Sequence, residues 1–411
     1  MGNLVNPALS DQGASLTVAT GLGAQGSDAR QPDYAAFAAN YLTSQKKGDQ
    51  ADKALQAYFS FLGARARREI KAEREFELKT TLADSVLDTV YMPEIDQRQQ
   101  KLIAAFEREN QAAKARIVFF NELREAGKEL FDPKTKSAKR GTDAAELLFP
   151  ARVNGQAVSY AGDLNLFFSQ IKTERGGDIE LFVPGGLLNV GLASAGSLTK
   201  TADKLGIVSV RDGDVSAYVR DDILVNQARI FTLGGSDILL WSDQANIDAG
   251  KGAKTASAVP PPRTVIRDGK VTFDVSGSVS GSGISTPITR NDVKKGNAVL
   301  VAPNGEVNAG DAGITVGGDL LIAAPVVKGA DNIKVGGESS GVPVASTGVT
   351  GANFGANPNE SSNATEQTKA LLASNAEKNQ RLGESLANFR PSFISVEVVG
   401  FGASGQLSDP R

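Results

Sequence analysis

The chain has 411 residues, with 44 glycines, 6% aromatic residues and a formal net charge of −3, and it contains neither cysteine nor histidine. Without those two side chains there are no thiol nucleophiles, imidazole relays or the commonest zinc sites, so any catalysis would rest on carboxylates, Lys, Tyr or Ser. The small net charge gives no electrostatic case for nucleic acid or an anionic membrane as a partner, and no stretch is long and apolar enough to span a bilayer.

Residues Met1 to Pro7 lack the basic and apolar regions of a secretory signal. Gly13 to Gly21 already reads as one rung of a stacked β structure, so the chain is expected to open partway through a repeat, as a piece of a longer protein. From Tyr34 to about Leu130 glycine nearly vanishes and helix formers take over. Leu62, Ala66 and Ile70 recur at i+4, and the pattern resumes with Leu78, Leu82 and Val86. Glu69, Glu73, Glu75 and Glu77 interleave with Arg65, Arg67, Arg68, Lys71 and Arg74 around that stripe, and this mostly alternating charge predicts a solvated face rather than a nucleic-acid patch. A break at Met92-Pro93 precedes a second long run from Leu102, Ile103 and Phe106 to Ile117, Phe120 and Leu123, with Gly127 as a helical stop. The basic stretch from Lys134 to Arg140 has no aromatic residue and is expected to be an exposed loop.

Strand signals return at Arg152 and run to about Val344. A turn glycine and a polar residue followed by apolar residues recur at Gly162-Asp163-Leu164, Gly177-Asp178-Ile179, Gly213-Asp214-Val215, Ser236-Asp237-Ile238, Gly269-Lys270-Val271, Gly305-Glu306-Val307 and Gly318-Asp319-Leu320. The intervals are uneven, which argues against propeller blades of about 40 residues, and the calcium-binding nonapeptide phrase is absent. The pattern predicts a mainly β chain built as a right-handed parallel β-helix, with alternate residues of each rung pointing inward and stacking on the rungs above and below. Asn165, Asn189, Asn226, Asn246 and Asn308 fall near the expected corners, and Pro260 to Pro262 in a loop leaving the coil. The expected domains are a rung or rungs over 1–31, an α-helical insertion over 32–150, the β-helix over 151–345, a Gly/Ser/Asn-rich linker over 346–364, and a C-terminal helix and strand over 365–411. The last helix, about Thr365 to Asn388, is read as a cap for an open solenoid end.

The stretch from Gly234-Gly235-Ser236-Asp237-Ile238 to Asn246-Ile247-Asp248-Ala249-Gly250-Lys251-Gly252-Ala253-Lys254-Thr255 resembles a rung pair of filamentous haemagglutinin-type exoproteins. The resemblance extends to Arg116 to Arg124, to Leu147-Leu148-Phe149-Pro150, and to the ending from Arg390 to Gly402. It implies a secreted or cell-surface bacterial protein, exported through an outer-membrane transporter by a two-partner pathway. The implied role is adhesion, aggregation or contact between cells, with a surface receptor or glycan as partner.

Gly250 to Thr255 falls short of a phosphate loop because Ala253 stands where the glycine before Lys-Thr is required. β-Helices also host polysaccharide-cleaving enzymes, whose two carboxyl groups must lie within several ångströms of each other. Asp212 with Asp214, and Asp221 with Asp222, are the candidate pairs, with corner hydrogen bonding or weak cation binding as the plainer reading. Trp241, the sole tryptophan, is either a sugar-stacking platform or a core anchor, and Tyr218 shares that ambiguity. The reading is a non-enzymatic adhesin-like fragment without cofactor or metal. Its rivals are a polysaccharide-binding or polysaccharide-cleaving β-helix and a scaffold whose helical insertion binds a partner protein.

Overall fold

The computed structural model describes residues 13–23, 30–174, 176–193, 204–252, 281–288 and 294–343, with strand backbone at 263–267, 270–274 and 395–399. Strand β1 (Ser15–Ala19) is followed by helices α1 (Tyr34–Tyr41), α2 (Gln50–Leu78), α3 (Asp84–Thr89), α4 (Met92–Arg108), α5 (Gln111–Phe131) and α6 (Lys139–Leu148). A short hairpin, β2 (Arg152–Val153) and β3 (Gln156–Ala157), leads to β4 (Leu164–Asn165) and β5 (Gln170–Thr173). The coils continue through β6 (Ile179–Val183), β7 (Leu188–Asn189) and β8 (Gly206–Ser209), then β9 (Val215–Val219), β10 (Ile223–Leu224) and β11 (Arg229–Thr232). Next come β12 (Ile238–Ser242) and β13 (Ile247–Asp248), the strands β14 (Arg263–Arg267) and β15 (Lys270–Asp274), and β16 (Gly283–Thr286). The last coils are β17 (Ala298–Val301), β18 (Glu306–Asn308) and β19 (Ile314–Val316), then β20 (Leu320–Ala323), β21 (Val326–Lys328) and β22 (Ile333–Val335), with β23 (Ser339–Ser340) and, far along the chain, β24 (Ser395–Val399).

Successive strands visit three sheets in rotation. One sheet has the order β23-β20-β17-β12-β9-β6-β1-β24, the second β21-β18-β13-β10-β7-β4, and the third β22-β19-β16-β11-β8-β5. Every pairing within them is parallel except that of β24 with β1. This is the stacked, β-helix-like arrangement expected of chains that bury a core only by piling rung on rung. Because β1, β4 and β5 pair with β6, β7 and β8, with Leu16 opposite Ile179, the six helices are inserted within the first coil, between β1 and β4.

The glycine-plus-polar phrase precedes strands of two different sheets: Asp178, Asp214, Asp237 and Asp319 enter the first, whereas Asp163 and Glu306 enter the second. Two kinds of corner carrying one signature explain the uneven intervals. Gly269-Lys270-Val271 does not begin a rung, because β15 pairs antiparallel with β14 in a separate two-stranded sheet. The Pro260 to Pro262 loop, the 346–364 linker and the helix expected over 365–388 lie outside the described residues.

The interior holds one stacked file per position, such as Val18, Leu181, Ala217, Leu240, Leu300 and Ile322 in register through the first sheet. The opposite face of that sheet is equally apolar. Ala19, Phe182, Tyr218, Trp241, Val301 and Ala323 form an outward file, and they share a second core with Phe37, Phe119, Leu123, Ala144, Leu148 and Phe149 of the helical segment. The insertion is therefore a cover on one sheet face. Helix α5 lies on it, with Val118, Phe119, Leu123 and Ala126 buried at i, i+1, i+5 and i+8, so Gly127 packs mid-helix against the sheet and does not end the helix as its composition suggests. The long run expected from Leu102 to Leu123 is broken at Asn110, whose side chain accepts the Ala113 N–H and starts α5. Likewise α2 stops at Leu78 because Lys79 adopts a left-handed conformation, φ 51°. Leu82 falls between helices and joins Ala66, Ile70, Leu87 and Ile95 in a small separate cluster.

Candidate functional site: the seam between the helical cover and the coils

At the corner entering the first sheet, each rung carries a polar side chain that accepts the backbone N–H of the next rung. Ser15 Oγ accepts from Asp178, Asp178 Oδ1 from Asp214, Asp214 Oδ1 from Asp237, Asp237 Oδ1 from Asn297, Asn297 Oδ1 from Asp319, and Asp319 Oδ1 from Glu338, all at 2.8–3.0 Å. The acceptors satisfy corner N–H groups that the sheet ladder leaves over. A shorter series at the second corner uses Asp163, Asp222 and Asn246 toward Leu187, Asn246 and Glu306.

Stacked carboxylates repel, and α2 supplies the compensating charge. Arg65 Nη1 donates to Asp214 Oδ2 at 2.8 Å, and Arg68 donates through both terminal nitrogens to the two oxygens of Asp237 at 2.9 and 2.7 Å. Glu69 collects Arg65, Arg98 and Lys294. These arginines are not the solvated face that sign alternation predicts, because this side of α2 docks over the corner. Deeper in the cover, Arg116 reaches Glu180 at 2.8 Å and Arg140 grips the fully buried Glu122. Burial opposes ionisation of Asp237, yet the Arg68 hydrogen bonds outweigh it and hold its pKa down at about 2. Among the described residues, no guanidinium is hydrogen-bonded to Asp178. Burial and the neighbouring Asp214 charge push it up to about 7.

The six residues singled out from sequence do not converge. Trp241 is completely buried under α6, with its indole N–H donated to Asp243 Oδ1 at 3.2 Å, and Tyr218 is stacked flat against Phe149, ring centroids 5.9 Å apart. Neither ring is open to a sugar. Asp214 is tied into the ladder and to Arg65, while Asp212 stands two residues away on the exposed corner with φ 45°. Asp222 accepts both the backbone and side-chain N–H of Asn246, and burial raises the pKa of its neighbour Asp221. No pair is arranged as an acid and a nucleophile across a cleft, and among the described residues no group of three or more carboxylates is disposed to hold a metal ion.

Concave surface is found elsewhere, including where the cover passes over the last coils. Two adjoining cavities, about 660 and 510 Å³, share Arg68, Asn297 and Asp319. The first runs beneath the C-terminal half of α2, past Lys71, Phe76, Lys79 and Lys295. The second is lined by Phe61 of α2, Arg124 and Phe131 of α5, and Val299, Leu321 and Ser340 of β17, β20 and β23. Sequence reasoning did not bring these residues together because they come from distant segments, and the local patterns that some carry, such as Gly318-Asp319-Leu320, point to a corner and not to a cavity.

Residues 235–344, which comprise the coils from β12 to β23, match the family model described as filamentous haemagglutinin family outer membrane protein, so this stretch is a filamentous haemagglutinin-type region. No curated protein and no solved structure matches the chain.

Proposed function

We propose that this chain is a non-enzymatic, adhesin-like region displayed at a bacterial surface or secreted, acting through the exterior of its coils on a neighbouring cell, receptor or glycan. The observation that carries this reading is the haemagglutinin-type match, which falls on coils stacked in register. In this reading the coils form a right-handed parallel β-helix exported through an outer-membrane transporter as part of a longer two-partner secretion protein. Binding energy then comes from many modest contacts acting together at high effective concentration. The helical segment braces one face and leaves recognition to the other two.

The test is adhesion of beads coated with the full chain to cultured epithelial cells. Saturable attachment that soluble chain competes away is expected, and attachment no greater than that of albumin-coated beads would overturn the reading. A second reading places a protein partner on the helical segment. Phe76, Leu78, Val90 and Met92, which are 44–60% exposed around the ends of α2, α3 and α4, favour it. Loss of attachment in a Phe76→Glu, Leu78→Glu double variant that still folds would select this second reading, and retained attachment the first.

A further inference from the structure

Within the seam, one guanidinium keeps donors to spare. Arg124 of α5 extends its guanidinium over Phe61 of α2, with Cζ 4.0 Å from the ring centroid. It donates one long hydrogen bond, Nη1 to Asn121 Oδ1 at 3.4 Å, and forms no ion pair among the described residues. The other cations of the same cavity wall are already engaged: Arg68 with Asp237, Arg67 with Asp84 and Asp88, and Lys128 with Glu125. Burial pushes the pKa of Arg124 below the ordinary arginine value, and the more distant Asp237 and Asp214 charges offset this only in part. A guanidinium offers five N–H donors in a planar fork suited to a carboxylate.

The cavity that Arg124 lines has the volume of a small-molecule site, about 510 Å³. Phe61, Phe131, Val299 and Leu321 give it apolar walls, and Asp319, Glu338 and the Arg68-paired Asp237 stand in the same lining. We propose that this cavity binds a small organic monocarboxylate with an apolar body, its carboxylate held by Arg124 and its body against Phe61, Phe131 and Leu321. The three wall carboxylates select against a second negative charge on the ligand. The site is separate from the coil exterior that the adhesive reading uses.

The test is calorimetric titration of the full chain with benzoate, hexanoate and indole-3-acetate, each beside its neutral amide. At least one acid is expected to bind saturably, with its amide weaker by about tenfold or more, as loss of a charge-assisted bidentate pair implies. Arg124→Gln is expected to reduce the acid to the level of its amide, and Arg74→Gln to leave it within about twofold, since Arg74 lies outside this cavity and is paired to Glu77 and Glu94. If Arg124→Gln does not fold by circular dichroism, Leu321→Trp, which fills the cavity, replaces it and is expected to abolish binding. The proposal is overturned if none of the three acids binds saturably, if acid and amide bind alike, or if the folded variant binds as the parent does.

Discussion

Gly141 of α6 sits so close over the Trp241 indole that a β-carbon on it would lie 2.5 Å from Cη2. Gly127 of α5 has the same relation to Val301, 2.7 Å from Cγ2. Glycine inside a helix is normally a loss, and here it sets how closely the cover approaches the sheet.

Gly141→Ala therefore separates intrinsic helix preference from packing. In an isolated helix alanine would gain about 1 kcal/mol over glycine. Against the fully buried indole, the inserted methyl is expected to cost about 1–3 kcal/mol through overpacking. The urea midpoint should fall, and a rise would mean that α6 does not press on Trp241.

The bidentate contact between Arg68 and Asp237 is the tightest link from α2 to the ladder. Removing one partner of a buried pair leaves the other uncompensated, at about 3–5 kcal/mol. Because the Arg68 side chain is 25% exposed, water recovers part of that, and Arg68→Ala is expected to cost about 2 kcal/mol. Asp237→Asn should cost less than Arg68→Ala, since an amide oxygen can still accept the Asn297 N–H, as Asn297 itself does for Asp319. Chemical denaturation of the two variants gives the order, and the reverse order would contradict the assignment.

The ladder also makes stability depend on pH in two opposed ways. Asp237, held down at about 2, contributes stability that is present above the ordinary aspartate value of about 4 and is lost as pH falls toward 2. Asp178, raised to about 7, contributes stability that is complete below about 4 and is lost as pH rises through 7. Asp178 faces Ser15 of β1, Tyr58 and Arg65 of α2, Asp214 and Glu180. Asp178→Asn retains an acceptor for the Asp214 N–H and removes the charge. It is expected to stabilise the protein at pH 8 and to have a smaller effect at pH 5, as read from denaturation midpoints across that range. An equal effect at both pH values would show that Asp178 does not titrate there.

The rungs were readable because turn glycines and apolar runs are local signals. The face assignments were not. Ile238-Leu239-Leu240-Trp241 is apolar on both sides of the strand, since Leu240 fills the interior while Leu239 and Trp241 lie under helices, so period-2 alternation is erased. That loss of alternation, shared by Phe182 and Tyr218, was itself the available sign of a covered face. Lys270 to Asp274 looked like a rung because a hairpin strand has the same local pattern, and only its partner distinguishes the two. The aspartates were visible as corner residues. Their use as acceptors for the next rung, and as counter-charges for Arg65 and Arg68, depends on which rungs stack and on where a helix about 150 residues earlier lands.

Trp241 is the sole tryptophan, placed by the fold at the junction of cover and coil, and it reports on both when unmodified protein is denatured in urea. Its emission follows exposure of the sheet face, while ellipticity at about 222 nm follows the helices. Because Phe119, Leu148, Phe149, Tyr218 and Trp241 belong to one core, the two signals should change together with a single midpoint. Loss of helix at a urea concentration where Trp241 emission is still native would contradict this, and would make the helical segment a separate domain rather than the cover of the coils.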